Sequence, residues 1–271
     1  SIINKDQKSF DNLMQTTEVS LKNRLLQPEN VFSDSLTLTL VCHNPRMKPL
    51  DLDDLKKVNY DRILQIAKER TANAAAYTFT IVGNYDEKTI RPLIEQYLGS
   101  LPSQKKVQKS KNVSSDFKGV VINNFKHKAE TPKSIAVMFW YSKQQPYNLE
   151  NSVKASIAGQ ILSMEYLKKI REDASAAYTV GASSSVSKDD FEESSSIYVY
   201  CPMKPEKADI ALQIMRDEVN AMANGCDADK LTKVKEYLLK SHADQLKQNG
   251  YWLGQINNWR RYGMDFHTDY E

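Results

Sequence analysis

The 271-residue sequence predicts an α+β protein in which helices cover one face of largely antiparallel sheets. Several short segments alternate apolar and polar residues with a period of two, which is typical of half-buried strands. Longer segments repeat apolar residues every three or four positions, which is typical of amphipathic helices. The order is helices and a strand, then two strands, a helix, two strands and three helices. Two such units fit the length of the chain.

The first hundred residues are predicted to be mostly helical. Apolar spacing predicts one helix over residues 8–27 and another over residues 59–72. Residues 77–83 alternate clearly and predict a strand. A further helix follows this strand and ends at Gly99, because glycine is common directly after a helix.

One segment in this part, residues 31–42, fits two structures. Phe32, Leu36 and Leu40 share a face at helical spacing, while residues 35–40 alternate in the manner of a strand. The β-branched Thr37 and Thr39, which stand between the leucines, raise the β propensity of the segment. On propensity, we expect a strand.

A basic stretch, residues 105–118, separates the two halves of the chain. It carries no periodic apolar stripe and no interleaved aromatic residues, which favours a solvated linker over a polyanion site. The chain as a whole has 37 basic and 34 acidic residues and a net charge of +3. We therefore expect no nucleic-acid partner.

The second half is predicted to contain four strands and four helices. Residues 133–141 are apolar on both faces and are predicted to form a central strand. A helix is predicted over residues 148–172, and the last helix near residues 251–262. The remaining predicted elements are strands at residues 119–125, 178–186 and 194–201, and two helices that begin near residues 208 and 228.

The three cysteines, Cys42, Cys201 and Cys226, form no Cys-x-x-Cys pair, so we expect free thiols and neither a zinc ribbon nor a redox dithiol. The longest apolar run, residues 135–141, is too short to span a bilayer, and no membrane segment is expected. The first eight residues contain no signal-peptide core. We expect the chain to begin within a domain, so that a signal peptide could precede it.

The sequence contains no recognisable catalytic or metal-binding motif. None of the four histidines lies in a helix-borne pair that could hold zinc. Phosphate-binding glycine motifs and the Gly-x-Ser-x-Gly elbow are missing as well. Acidic pairs such as Asp189 with Asp190 are typical of a hairpin surface. We therefore predict no catalytic residue, no metal site and no cofactor in this chain.

Arg171 and Tyr178 form the most suggestive pair of candidate site residues. Arg171 lies near the end of a predicted helix and Tyr178 opens the next strand, so both side chains could face one groove. The alternative is that Lys168, Lys169 and Arg171 complement the negative end of the helix dipole, while Tyr178 packs at a strand edge. From the residues alone, the second interpretation is favoured.

Three stretches together make the sequence resemble the pitrilysin family of inverted zinc peptidases, which includes insulin-degrading enzyme and the mitochondrial processing peptidases. They are residues 77–86 with 97–102, residues 170–182, and residues 223–231. The resemblance is greatest to large bacterial members, whose two halves close over a peptide. It implies two tandem units of the processing-peptidase-like fold: residues 1–103 as the end of a truncated first unit and residues 104–271 as most of a second. It also implies a helix at residues 31–42.

The resemblance further implies a function. The family's His-x-x-Glu-His motif has no match here, so the chain resembles the non-catalytic, substrate-binding half of a zinc-dependent metalloendopeptidase. Zinc would belong to the catalytic half, carried by the same polypeptide or by a partner subunit. Arg171 and Tyr178 match the arginine and tyrosine that reach the bound peptide in such enzymes. A bacterial parent with a signal peptide would lie in the periplasm or cell envelope.

Two other functions remain open at this point. Some family members have lost catalysis, so the chain could belong to a scaffold or chaperone-like subunit. It could also be an independent peptide-binding module whose serine-rich strand pairs with a peptide edge to edge.

Overall fold

A computed structural model describes residues 4–104 and 106–264 of the chain. These residues form two compact units. Unit 1 comprises Ser1–Phe79 and Asn84–Lys128, and unit 2 comprises Thr80–Gly83 and Ala129–Glu271. The boundary between two homologous domains, predicted between residues 103 and 104, stays a prediction, because compact units do not show which segments share an ancestor. No helix in the described ranges is long and apolar enough to cross a membrane.

Unit 1 is helical throughout its described elements. Its helices are α1 (Gln7–Arg24), α2 (Pro28–Leu40), α3 (Leu52–Leu55), α4 (Tyr60–Thr71) and α5 (Glu87–Tyr97). Side-chain caps define several starts, since Asp6, Asn59 and Asp86 each accept a hydrogen bond from the backbone N–H three residues later. The helices predicted at residues 8–27 and 59–72 are confirmed.

Helix α2 corrects the prediction of a strand at residues 31–42. Pro28 occupies its first turn, where the missing N–H costs nothing. The Thr39 hydroxyl donates to the carbonyl of Ser35, so the threonine satisfies its polar group within the helix. Propensity was outweighed by the four-residue spacing of the apolar side chains, and the expectation from the family resemblance is right.

Two predicted strands in this part are not strands. Neither residues 77–83 nor residues 119–125 belong to a strand of the described structure. Residues 119–125 are instead held by α2. The Asn123 amide donates to the hydroxyls of Ser35 and Thr39, at 2.9 and 2.8 Å.

The basic stretch forms no helix or strand in its described part, as expected for a linker. Lys105 lies outside the described residues. The stretch is nevertheless fastened within unit 1, because the buried amide of Asn44 donates to the carbonyl of Val113 at 2.6 Å. Asn73 similarly donates to the carbonyl of Lys106. The described residues of the stretch are exposed apart from the half-buried Phe117, so the expectation of a solvated linker is confirmed.

Unit 2 contains the sheet. Its strands are β1 (Ser134–Ser142), β2 (Gly181–Lys188) and β3 (Glu193–Met203), in the order β1-β3-β2 with both pairs antiparallel. Among the described strands, β3 lies in the middle and β1 at one side, so the prediction that residues 133–141 form the central strand is not met within them. The α+β class with an antiparallel sheet is confirmed.

Four helices complete unit 2: α6 (Leu149–Tyr166), α7 (Ala208–Met222), α8 (Ala228–Gln245) and α9 (Asn249–Tyr262). The core lies where α6 and α7 meet one face of the sheet. Its fully buried members include Leu162 and Tyr166 of α6, Val199 and Cys201 of β3, and Met215 of α7. Burial of such side chains contributes about 1.5–3 kcal/mol each, so this layer dominates the stability of the unit.

Helix α6 approaches the edge strand β2 very closely. A Cβ atom added at Gly159 would lie 2.5 Å from the backbone nitrogen of Ser184, so only glycine allows this contact. One turn later, the Ser163 hydroxyl accepts from the N–H of Ala182 and donates to its carbonyl, at 2.9 and 2.8 Å. The helix thus covers the beginning of the strand's outer edge.

Candidate functional site

Arg171 lies on a π-helical turn that continues α6 over Leu167–Asp173. The N–H of Ala174 donates to the carbonyl of Lys169 at 3.1 Å, five residues back, which is the π pattern. Ile170 anchors the turn in the core and is fully buried. Its neighbour Arg171 is therefore held at the surface. Turns of this kind occur frequently at functional sites.

Tyr178 lies on the segment that leads from this turn into β2. Ser175 reverses the chain with a positive φ of 49°, and the buried Ala176 and Ala177 then fix the backbone. The carbonyl of Ala176 accepts a hydrogen bond from the N–H of Lys204 at 2.9 Å. Tyr178 itself is 86% exposed. A firmly held backbone thus presents an exposed phenol ring.

The structure brings Arg171 and Tyr178 together. The guanidinium carbon lies 5.6 Å from the centroid of the tyrosine ring, within the range of a cation–π contact. At an exposed site such a contact contributes about 0.5–1 kcal/mol, enough to favour one arrangement. The N–H groups of arginine and the O–H of tyrosine can both donate to a carbonyl or an oxyanion.

Lys169 has a structural role on the same turn. Its ammonium lies 2.6 Å from the carboxylate of Glu218 on α7, and this hydrogen bond raises the pKa of Lys169. The Glu165 carboxylate bonds Lys230 of α8. Together these pairs fasten the end of α6 to α7 and α8, and therefore stabilise the turn that carries Arg171.

Tyr166 adds a buried link beneath the turn. Its hydroxyl donates to the carbonyl of Met215 at 2.8 Å, and burial raises the pKa of this phenol. The side chain is fully buried, so its polar group is satisfied inside the core. Arg171 thus lies about one helical turn after Tyr166, whose burial holds this part of the helix in place.

The described histidines belong to no group of metal ligands. His43 adopts a positive φ of 54° after α2, and His242 makes an edge contact with the ring of Tyr251. His267 lies outside the described residues. Within the described ranges, no three histidine, cysteine or acidic side chains group as metal ligands. The described histidine, cysteine and acidic side chains therefore offer no set of ligands that fits zinc.

The cations of the basic turn differ in their partners. Lys169 is engaged in ion pairs, but Arg171 pairs with none of the described carboxylates. Tyr178 lies three positions before β2 begins, and its ring is in solvent and beside Arg171. The ring of Tyr178 is therefore exposed and does not pack at a strand edge.

Family comparison identifies the class of protein. The model of the family described as the peptidase M16 inactive domain matches residues 57–238. This match covers more than half of the chain, and the chain belongs to that family. The resemblance to pitrilysin-type zinc peptidases, drawn from the sequence motifs, is thereby confirmed.

Individual relatives have similar descriptions. A curated relative, a zinc protease PQQL-like protein of Arabidopsis thaliana, is 21% identical over 261 residues, covering 90% of this chain and 27% of the relative. The periplasmic protease PqqL from Escherichia coli matches with a TM-score of 0.79 and 21% identity, over 95% of this chain and 28% of that one.

A third relative was solved with a protein bound. The ferredoxin protease FusC, in complex with Arabidopsis ferredoxin, matches with a TM-score of 0.68 and 15% identity, over 94% of this chain and 28% of that one. At such identities the structural matches show the fold. The chain spans little more than a quarter of the length of these relatives.

Both residues of the candidate pair could be named from the sequence, but the π-helical turn could not. No proline or glycine marks residues 167–173, so no local signal was present. The supporting pairs to Glu218 and Lys230 were also missed, because their partners lie 49 and 65 positions away.

Proposed function

We propose that this chain is the non-catalytic, substrate-binding half of a zinc-dependent metalloendopeptidase. Arg171 and Tyr178 would donate hydrogen bonds to the backbone of a bound peptide, or to the oxyanion that forms during cleavage. The observation that supports this most directly is the exposed guanidinium lying over an exposed phenol ring. Zinc and the base would belong to the catalytic half, in the same polypeptide or in a partner subunit.

The chemistry of the pair suits this role. Arginine is charged at any physiological pH and offers five N–H donors in a fixed plane. A tyrosine hydroxyl adds one donor at the end of a rigid ring. Both groups are solvated in this structure, so their hydrogen bonds would strengthen when a peptide and the other half exclude water. The relatives suggest a periplasmic or cell-envelope location and proteins as substrates.

The test is peptide hydrolysis by the full-length parent, with zinc content measured in parallel. Arg171→Ala and Tyr178→Ala should each lower kcat, on the order of a hundredfold for loss of one oxyanion donor, with zinc content unchanged. Tyr178→Phe removes the hydroxyl and keeps the ring, so it separates the contribution of the hydroxyl from that of the ring. Lys168→Ala, an exposed cation on the same turn, is the matched control and should leave kcat unchanged.

Other results would change the assignment. If both alanine variants cleave peptide at the wild-type rate, the pair has no role in the reaction. A wild-type parent that binds no zinc and cleaves no peptide would be a scaffold.

A further inference from the structure

The segment that follows the basic stretch in unit 1 is extended and is held on one side only. Residues 120–128 contain no helix, turn or bend. The amide of Asn123 donates to two hydroxyl groups of α2, and the ring of Phe125 stacks with that of Phe32 on the same helix, at a centroid distance of 6.5 Å. Successive side chains of an extended chain point to opposite sides. The odd-numbered residues of the segment therefore face α2, and the even-numbered residues face away from it.

The side that faces away from α2 is apolar at one end and basic at the other. Val120 is 90% exposed and Ile122 is 77% exposed. Lys126 and Lys128 follow on the same side and are also exposed, and neither pairs with a carboxylate among the described residues. Residues 105–128 as a whole contain seven lysines and a single acidic residue. This side therefore attracts a partner that carries carboxylates.

The backbone at the apolar end of the segment is also available for pairing. No other described residue hydrogen-bonds the peptide groups of Val120, Val121 or Ile122. An extended segment with unpaired N–H and C=O groups can pair with an additional strand. Valine and isoleucine are among the residues most often found in strands. The segment can therefore enter a sheet as soon as a second strand is present.

A second copy of this chain does not provide a matching strand over the whole length of the segment. In an antiparallel pair centred on Asn124, Val120 would lie opposite Lys128 and Ile122 opposite Lys126. In a parallel pair in register, each lysine would lie opposite the same lysine of the other copy. Like charges directly opposite each other destabilise a strand pair. The partner is therefore a different protein.

We propose that residues 120–128 add as a strand to an unpaired sheet edge of a partner protein. This edge carries aliphatic residues opposite Val120 and Ile122, and carboxylates opposite Lys126 and Lys128. In such strand addition, main-chain hydrogen bonds provide affinity and side-chain pairs provide selectivity. The attachment to α2 keeps the segment extended before binding, which lowers the cost of ordering it.

This surface is separate from the proposed peptidase site. The segment belongs to unit 1, whereas Arg171 and Tyr178 belong to unit 2. Strand addition needs neither zinc nor turnover, so it does not rest on the proposed function. Arg171→Ala should bind the partner strand as the wild type does, and a loss of binding in this variant would contradict the assignment to unit 1.

The first experiment uses the full chain and a fluorescein-labelled, end-capped nonapeptide, Glu-Thr-Glu-Val-Thr-Val-Val-Thr-Val. In an antiparallel pair its two glutamates lie opposite Lys128 and Lys126, and its last two alternate valines lie opposite Ile122 and Val120. A second peptide carries lysine in place of both glutamates. Fluorescence anisotropy at low salt should show the lysine peptide binding about tenfold more weakly or worse. Equal affinities, or no binding of either peptide, would overturn the proposal.

Variants at exposed positions test the side-chain pairs without disturbing a core. Ile122→Asp should weaken binding of the glutamate peptide by about tenfold or more. Leu239→Asp on α8 makes the same change at a position that is 73% exposed, and it should leave binding unchanged. Lys126→Glu combined with Lys128→Glu should reverse the preference, so that the lysine peptide binds more tightly. Equal effects of the two aspartate variants, or no reversal, would contradict the pairing.

Hydrogen exchange tests the backbone contact directly. The glutamate peptide should slow exchange of the amides in residues 120–124, and unchanged exchange there would exclude strand addition. Two other occupants give different results. Slow exchange with phosphatidylglycerol vesicles but not with the peptide would assign the segment to an anionic lipid surface. Self-association of the chain through this segment, seen by sedimentation and abolished in Ile122→Asp, would assign it to a second copy. Either result overturns the proposal.

Discussion

Unit 1 and unit 2 have similar apolar patterns but very different interiors. Unit 2 buries a continuous core, whereas Leu55 is the only buried hydrophobic residue among the described residues of unit 1. In unit 1, Phe79 is 49% exposed, Leu93 47% and Ile122 77%. An apolar stripe determines which face of a helix or strand can be buried. The paired sheet of unit 2 supplies the surface against which burial occurs.

The largest effect should come from truncating the core of unit 2. Leu162→Ala removes a fully buried side chain and should cost about 2–5 kcal/mol of unfolding free energy. Leu93→Ala, at a half-exposed position on α5, should cost less than about 1 kcal/mol. Urea denaturation followed by far-ultraviolet circular dichroism reports the helices of both units, and tryptophan fluorescence reports unit 2, which contains all three tryptophans. Equal losses would mean that the units are equally well packed.

A smaller effect tests the close contact of α6 with β2. Gly159→Ala forces a Cβ against the backbone of Ser184 and should cost roughly 1–3 kcal/mol. Gly254→Ala on α9 meets no atom within 4 Å and should stabilise the protein by up to about 1 kcal/mol, because alanine favours helix. Thermal unfolding of the two variants should therefore shift in opposite directions. A neutral Gly159→Ala would contradict the contact.

Unit 1 depends on a buried polar contact more than on a core. Asn44→Ala removes the hydrogen bonds to the carbonyl of Val113 and the N–H of Arg46, at a cost of roughly 1–2 kcal/mol. Trypsin should then cut faster after Lys109 and Lys111. The control is Asn73→Ala, which removes an exposed contact to the same stretch and should accelerate cleavage less. The same cleavage rate in wild type and Asn44→Ala would show that the stretch is held in another way.

At neutral pH, the smallest effect concerns the thiols. Burial raises the pKa of Cys201 from its ordinary value of 9.0 to about 11. The unfolded chain loses this proton first, so the contribution to stability is complete below about pH 9 and is lost as the pH rises toward 11. Cys201→Ala should flatten stability over that window. Iodoacetamide should modify the exposed Cys226 first, as mass spectrometry would show; prior labelling of Cys201 would refute its burial.

Much of the fold was predictable because local signals agreed with each other. Caps such as Asp86 and Asp227 mark helix starts, and the apolar spacing gave the elements of unit 2. Helix α2 was not predicted from propensity, which ignores the neighbours that a helix face meets. Residues 77–83 and 119–125 alternate but form no strand, so alternation alone does not determine a strand.

For the candidate site, only the sequence spacing of its two residues was predictable. Arg171 and Tyr178 could be placed at a helix end and a strand start, but their contact depends on the π-helical turn and on the positive φ of Ser175. Neither feature is marked by glycine.

The π-helical turn also affects how relatives should be aligned. Its hydrogen bonds close one residue later than those of an α-helix, so the turn accommodates one additional residue. A homologous helix that stays α throughout needs a single-position gap within residues 167–173. An ungapped alignment would pair Arg171 with the neighbour of its true counterpart. Searches for the same arginine and tyrosine should therefore also accept a spacing one position shorter.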